Sequence, residues 1–297
     1  VPPPASPPPA PGFSLVGDVD GRWPVVLASP HSGREYPADF LAHTRLTLAQ
    51  LRRAEDAYVD GLLEGAVGDG VPRLAARFGR SWLDLNRAPA ELDPAMYVEP
   101  FDSDIAQSSD RVQAGLGVVP RVAGQGLDIY PTRLRLDEAR GRIASVHAPW
   151  HAMVAHLTGR ARARHGHAVL LDCHSMPSPG PGPGGGAQIV IGDLHGRSAS
   201  PALVELIARL FAGAGLRVSR NVPYAGGYTT AHHGRPEHGV HAVQIEIDRA
   251  LYMDPARLTR HMGFPAITTL MTAVVASICE AAPSLDLTPP PFAEAAE

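Results

Sequence analysis

Ala168–Ser178 reads AVLLDCHSMPS, and this stretch sets the fold class. The apolar run Val169, Leu170, Leu171 passes into Asp172, Cys173, His174 and Ser175 and then Met176 and Pro177. Such a run with a polar break at its carboxyl end is the pattern of a buried strand. In open α/β sheets ligands bind outside the carboxyl ends of strands, so His174 is delivered to the place where a site would form. The arrangement recurs upstream, where Pro24–Ser29 runs into Pro30, His31, Ser32 and Gly33. Two strands that each present a histidine at their exit point to a shared metal or acid–base site.

Outward from these two strands, helices and strands alternate. Thr47–Val67 reads as one helix: Leu48, Leu51, Tyr58, Leu62 and Leu63 share a face, Thr47 caps the start, and Gly68 and Gly70 end it. Val71–Arg77 reads as a strand, Leu136–His165 as a helix disturbed by Pro149, Ala187–Gly192 as a strand and Ser200–Ala212 as a helix. A short strand, Leu216–Arg220, precedes a glycine-rich loop, Asn221–His238. His241–Ile247 is then a strand and Pro255–Ala282 a closing helix. Glu91–Pro131, rich in Asp, Pro, Gly and Ser, is expected to form loops over the site, and Ser178–Gly186 a flexible loop. The class is therefore α/β: a single domain, residues 13–282, with a central sheet flanked by helices. Pro-rich tails, 1–12 and 283–297, are expected to be disordered.

The bulk numbers narrow the function. The 297 residues are 44% hydrophobic, enough for a core, and the formal charge of −4 gives no argument for nucleic acid or an anionic membrane. All 26 basic residues are arginine, which reads as GC-rich bacterial coding bias. Two cysteines, Cys173 and Cys279, fit a reducing compartment, so the cytoplasm is the expected location. No apolar run of about 18 residues and no signal peptide are read. A monomer and a homo-oligomer are both compatible with the sequence.

Among 14 histidines, His31 and His174 stand out as zinc-type ligands, because both follow strands and sit in loops rich in Ser, Gly and Pro; a catalytic zinc takes three protein ligands and water. For the third ligand, Glu55 falls near the middle of the apolar face of the first helix and Asp56 at its flank. On spacing alone both read as solvated partners of Arg52 and Arg53. Glu246, between Ile245 and Ile247, shares a face with Gln244 and Asp248: a solvated sheet face, or a buried carboxylate with a raised pKa that can take a proton from water. Asn86 and Arg87 offer an amide and a guanidinium fork for a carboxylate, or an ordinary salt bridge. Cys173 is a nucleophile beside His174 or a small apolar residue ending the strand. Gly226-Gly227-Tyr228-Thr229-Thr230 is a turn or a loop that closes over substrate; it lacks nucleotide-binding spacing.

Taken in order from about residue 24 to 280, these segments resemble the N-formylglutamate amidohydrolase (deformylase) family. The matching pieces are Ser29–Gly33, Glu55-Asp56 with Leu62, Asp84–Pro89, Pro149-Trp150-His151 and Leu171–Ser175. Gly226–Thr230 through Pro236, and His241–Ile247 with Leu251–Met253, complete the set. The resemblance implies a mixed sheet between helices, similar to zinc carboxypeptidases, with Zn2+ or another divalent ion at the strand ends. It implies His31, Asp56 and His174 as metal ligands, with Asp56 preferred to Glu55; Arg34 stands where carboxypeptidases carry their acidic ligand, so this ligand comes from elsewhere in the chain. It further implies Glu246 as general base and Asn86 and Arg87 as carboxylate binders. His233 stands where the family often has tyrosine.

The expected activity is zinc-dependent hydrolysis of a small N-acyl amino acid, foremost N-formyl-L-glutamate, a step that the family name ties to histidine degradation. His232 or Arg235 is expected at the second carboxylate. Three alternatives are carried: the same chemistry on another N-formyl or N-acyl amino acid, a non-catalytic binding protein on this scaffold, and a metal-free cysteine hydrolase using Cys173.

Overall fold

The structure, a computed structural model, describes residues 12–67, 70–100, 109–124, 126–178 and 186–288. The expected N-terminal tail, the 178–186 loop and the end of the C-terminal tail lie almost wholly outside the described residues.

Seven strands make one mixed sheet: β1 (Phe13–Val16), β2 (Val25–Ser29), β3 (Arg73–Ala76), β4 (Ala168–Met176), β5 (Ile189–Gly192), β6 (Val218–Arg220) and β7 (Val240–Asp248). Their spatial order is β1-β3-β2-β4-β7-β5-β6. β3, β2, β4 and β7 run parallel, so four carboxyl ends lie side by side. β1 and β5 join antiparallel. β1 was not expected; it covers an edge of the sheet with only four residues.

The alternation of side chains divides the core in two. Val25, Leu27, Val169, Leu171, Cys173, Val243, Ile245 and Ile247 face one way, against the helices Pro201–Gly213 and Phe264–Ala281. Val26, Ala28, Leu170 and Ala242 face the other way, against Trp150, Val154 and Leu157 of the helix Ala148–His165. The closing helix starts at Phe264, nine residues later than expected, because a two-residue hairpin, Met253–Asp254 with Thr259–Arg260, precedes it. By length and composition its segment, mean hydropathy 1.5, qualifies as a membrane-crossing helix, contrary to the sequence reading. Here Ile267, Met271, Val274, Val275, Ile278 and Cys279 bury its inner face. Packing also continues past residue 282: Leu287 is buried and its carbonyl accepts from His241 Nε2 at 2.9 Å.

Two helical readings change. Thr47–Val67 is three short helices, Leu48–Arg52, Val59–Leu62 and Glu64–Val67. Thr47 does cap the first, with a reciprocal Gln50 bond. The helix then stops because its groups find partners elsewhere. Ser81 Oγ donates to the Leu51 carbonyl, the Asp56 N–H donates to the His31 carbonyl, and Tyr58 turns left-handed at φ 68°. In the long helical segment 136–165, a π-turn, Ile143–His147, separates Leu136–Arg142 from Ala148–His165. Pro149 brings no N–H and its ring would press on the carbonyl four residues back, which a wider turn relieves.

Candidate active site

The site lies where the four parallel strands end. After β2 the chain turns sharply through Gly33, where any Cβ would fall 2.1 Å from the Phe78 carbonyl oxygen. This close approach lays the His31 loop across the end of β3. The bond from the Asp56 N–H to the His31 carbonyl, 2.9 Å, brings in the third residue. In β4, Leu170, Asp172 and His174 share a face, so the apolar surface under Trp150 becomes polar toward the strand end. β7 repeats this with Ala242, Gln244 and Glu246. Register places Asp172 opposite Gln244 and His174 opposite Glu246. His174 thus belongs to the strand rather than to a loop after it.

Three buried donor atoms converge. His31 Nδ1 and His174 Nδ1 are 3.1 Å apart, and Asp56 Oδ2 lies 3.3 Å from the first and 3.0 Å from the second. Carboxylates lie beside the other ring nitrogens: Asp84 Oδ1 is hydrogen-bonded to His31 Nε2 at 2.6 Å, and Asp172 Oδ2 lies 3.0 Å from His174 Nε2, which Asn86 Nδ2 also approaches at 3.3 Å. The two Nδ1 atoms face each other and Asp56 Oδ2, so a cation held there would meet three donor atoms at once. Ligand bonds of about 2.0–2.2 Å in tetrahedral geometry separate donors by about 3.3 Å. The donor set and its spacing therefore fit a divalent cation, and two carboxylate–histidine pairs supply the supporting shell that metal sites use. Asp56 divides its roles, since Oδ1 accepts from Arg249 Nη2 at 2.9 Å and Ser175 Oγ at 3.3 Å while Oδ2 faces the histidines.

Electrostatics agree with this arrangement. Burial disfavours charge on His174, yet Asp172, Asp56 and Glu246 hold its pKa well above the ordinary value. Burial would likewise raise Asp56 and Asp84, but bonds from His174 and His31 to Asp56, and the charges of Arg80 and His31 beside Asp84, hold both carboxyls well below the usual range. Glu246 behaves differently: burial pushes it up to about 7, only partly opposed by His174 and Arg80. Its Oε1 accepts from Gln244 Nε2 at 2.9 Å. The polar face of β7 is therefore buried beside the cavity, not solvated.

The cavity above these groups has a volume of about 380 Å³, and five arginines line it: Arg53, Arg80, Arg87, Arg111 and Arg249. Arg80 pairs with Asp84 Oδ2 at 2.7 Å. Arg87, buried, donates Nε to the Leu116 carbonyl and Nη1 to the Asn86 carbonyl, leaving Nη2 3.9 Å from Asp84. The segment 91–131 does cover the site, through Arg111, Leu116, Pro120, Val122 and Gly124.

Three of the residues considered, Glu55, His232 and Arg235, stand outside the cavity lining, and Asn86 lines it with its amide oxygen engaged. Glu55 is buried against Tyr36 Oη and Arg52 Nε and does not line the cavity. Asn86 lines it, but its Oδ1 is taken by the Thr229 N–H at 2.8 Å, so it seats the glycine turn. A Cβ on Gly227 would lie 2.3 Å from Asn86, and the turn packs down instead of standing free. His232 and Arg235 are outside the cavity lining. The reason is that Tyr228–His233 forms a helix within the expected loop: His232 is exposed on it and stacks on Tyr228, while Arg235 Nη1 donates back to the Ala231 and Gly234 carbonyls. Cys173, on the opposite face of β4, is buried in the core with its thiol pushed up by burial. The sequence reading missed Asp84, Asp172 and the arginines 53, 80, 111 and 249. Period-two alternation in AVLLDCH does put Asp172 on the face of His174; no local pattern marks the arginines.

Known proteins share this sequence pattern and this fold. The N-formylglutamate amidohydrolase family model matches residues 23–253. An N-formylglutamate deformylase of Pseudomonas aeruginosa is 31% identical over 248 residues, 79% of this chain and 84% of that protein. One of Pseudomonas putida is 26% identical over 239 residues, 79% and 83% of the two chains. The crystal structure of N-formylglutamate amidohydrolase from Ralstonia eutropha JMP134 superposes with a TM-score of 0.85 at 32% identity, covering 91% of this chain and 98% of that one. With fold and sequence in agreement along most of its length, the chain belongs to the N-formylglutamate amidohydrolase family.

Proposed function

We propose that this protein hydrolyses N-formyl-L-glutamate to formate and L-glutamate, with a zinc ion held by His31, Asp56 and His174. The observation that carries the reading is the meeting, in one cavity, of a three-donor cluster, the buried Glu246 and five guanidinium groups. The names of the two Pseudomonas relatives support the substrate. A divalent cation bound there supplies Lewis acidity toward the amide carbonyl and acidifies a water molecule.

The chain's own groups do the rest. Glu246, held by Gln244 opposite His174, accepts a proton from the attacking water. The water oxygen bonds to the formyl carbon, the C–N bond breaks, and Glu246 passes the proton to the leaving amine nitrogen. Arg87 holds the α-carboxylate through Nη2, the one guanidinium nitrogen that no backbone carbonyl among the described residues takes, which fixes the amide near the cluster. The second carboxylate falls to the remaining cavity arginines rather than to His232 or Arg235. The arginine-lined cavity favours a di-acid over a neutral N-formyl amino acid. The cytoplasm is the compartment proposed.

The test is formate release from N-formyl-L-glutamate and N-formyl-L-alanine, with protein as purified, after chelation, and after zinc is restored. Zinc-dependent release from the glutamate compound alone is expected. Equal release from both overturns the di-acid reading, and chelator-resistant release overturns the metal.

A further inference from the structure

The segment that carries Asn86 and Arg87 is gripped from behind. His147 Nε2 lies 2.8 Å from the Arg87 carbonyl and His151 Nε2 lies 2.9 Å from the Leu85 carbonyl. The Asn86 carbonyl between them accepts from Arg87 Nη1 at 2.8 Å. Three successive carbonyls are thereby held. The Asn86 N–H, in turn, donates to Asp84 Oδ1 at 2.9 Å.

The bonds fix the protons. A carbonyl accepts only, so His147 and His151 each carry hydrogen on Nε2. His151 Nδ1 is then a lone pair, and His233 Nε2, 3.0 Å away, donates to it. Burial keeps this chain neutral, since it pushes His151 down to about 2 and His233 down to about 3. The helix arranges the pair. His147 closes the π-turn and His151 lies four residues on, their ring centroids 4.4 Å apart on the same face. Neither histidine lines the cavity.

We propose that His147 and His151 are positioning residues: the π-turn sets two Nε2–H donors at the spacing of the Leu85 and Arg87 carbonyls, and so aims the Arg87 guanidinium at the substrate α-carboxylate. The inference rests on the Arg87 role proposed above. It assigns a use to the π-turn and to two buried histidines that the chemistry itself does not touch.

The test compares H147L, H147Q, H147N, R87M and the H147L/R87M pair on N-formyl-L-glutamate, with the thermal midpoint of each recorded. R87M removes a charge-assisted bond and should raise KM about 100-fold. H147L should raise KM about tenfold with kcat little changed, the effect of one lost hydrogen bond on alignment. Glutamine carries a donor where His147 carries Nε2, so H147Q should stay within about threefold of the parent, while H147N, too short, should resemble H147L. In the R87M background H147L should add less than about twofold, because residues acting through one another are not additive. Additive effects, or a fall in kcat at constant KM, overturn the positioning role. An unchanged KM in R87M overturns the Arg87 role instead. If H147L does not fold, the H147Q and H147N comparison decides alone.

Discussion

Asp84 offers the sharpest test of the site, because one side chain serves three partners. Oδ1 accepts from His31 Nε2 at 2.6 Å and from the Asn86 N–H at 2.9 Å, while Oδ2 accepts from Arg80 Nη2 at 2.7 Å. The D84N variant keeps shape and volume but replaces one oxygen with a donor. If the amide nitrogen faces Arg80, two donors meet at a buried salt bridge; if it faces His31, the ring loses its acceptor. The first orientation loses the Arg80 bond and the second loses both the His31 and the Asn86 bonds, so at least one hydrogen bond to a charged group goes, about 1.5–3 kcal/mol. Supporting partners of metal-bound histidines are worth about 10–100-fold in affinity. Zinc affinity, read by competition with a chromogenic chelator, should therefore fall by about that factor. The thermal midpoint of metal-free D84N should move little by comparison with D84A. The alanine leaves Arg80 without its partner and should cost about 3–5 kcal/mol of stability. Unchanged zinc affinity in a folded D84N protein would refute the view that Asp84 orients a ligand.

Three further outcomes follow from the same geometry. E246Q should bind zinc as tightly as the parent and lose about 10²–10⁴ in kcat, the usual worth of a general base; turnover within tenfold of the parent would remove Glu246 from the mechanism. R235A should leave kcat and KM within about twofold, because Arg235 points back to its own helix; a tenfold KM increase would return it to the substrate. Burial depresses the pKa values of His151 and His233, so the unfolded chain binds the extra protons. Their stability is complete above about pH 6.5 and is lost as pH falls toward the folded values, about 2 kcal/mol each by pH 5. Urea titrations of metal-free protein at pH 7.5 and 5 should show that loss, and H233Q should lose less; an equal loss would show that His233 is not buried neutral.

Much of the fold was legible because β2, β4 and β7 are buried on both faces or alternate cleanly. Local pattern suffices for such strands: the run read from Pro24 to Ser29 forms a strand over Val25–Ser29. His31 and His174 were legible as strand-exit residues for the same reason, and Glu246 as a residue within a strand whose polar face could be solvated or buried. The break at Asp56 was not. Its cause is a set of partners distant in sequence, the His31 carbonyl and Ser81, which no helical wheel contains. The helix Tyr228–His233 was hidden in a glycine-rich stretch because tertiary bonds, Thr229 N–H to Asn86 among them, hold its start. Arg235 and His232 were misplaced as a consequence. The cavity arginines come from four different segments, and only the fold assembles them.

The pairing of β4 with β7 has a consequence for quality control. The alternation that places His174 against Glu246 also decides which face of β7 meets the apolar core. A slip of one residue would turn Gln244, Glu246 and Asp248 toward the helices Pro201–Gly213 and Phe264–Ala281, with no partners there. Burying three such groups unpaired costs several kcal/mol at least, comparable to the whole stability of a domain. Chains misregistered at this seam therefore do not accumulate as folded, inactive molecules. Register errors at this seam should add nothing to any folded but inactive fraction of a preparation, which leaves metal loading to account for it.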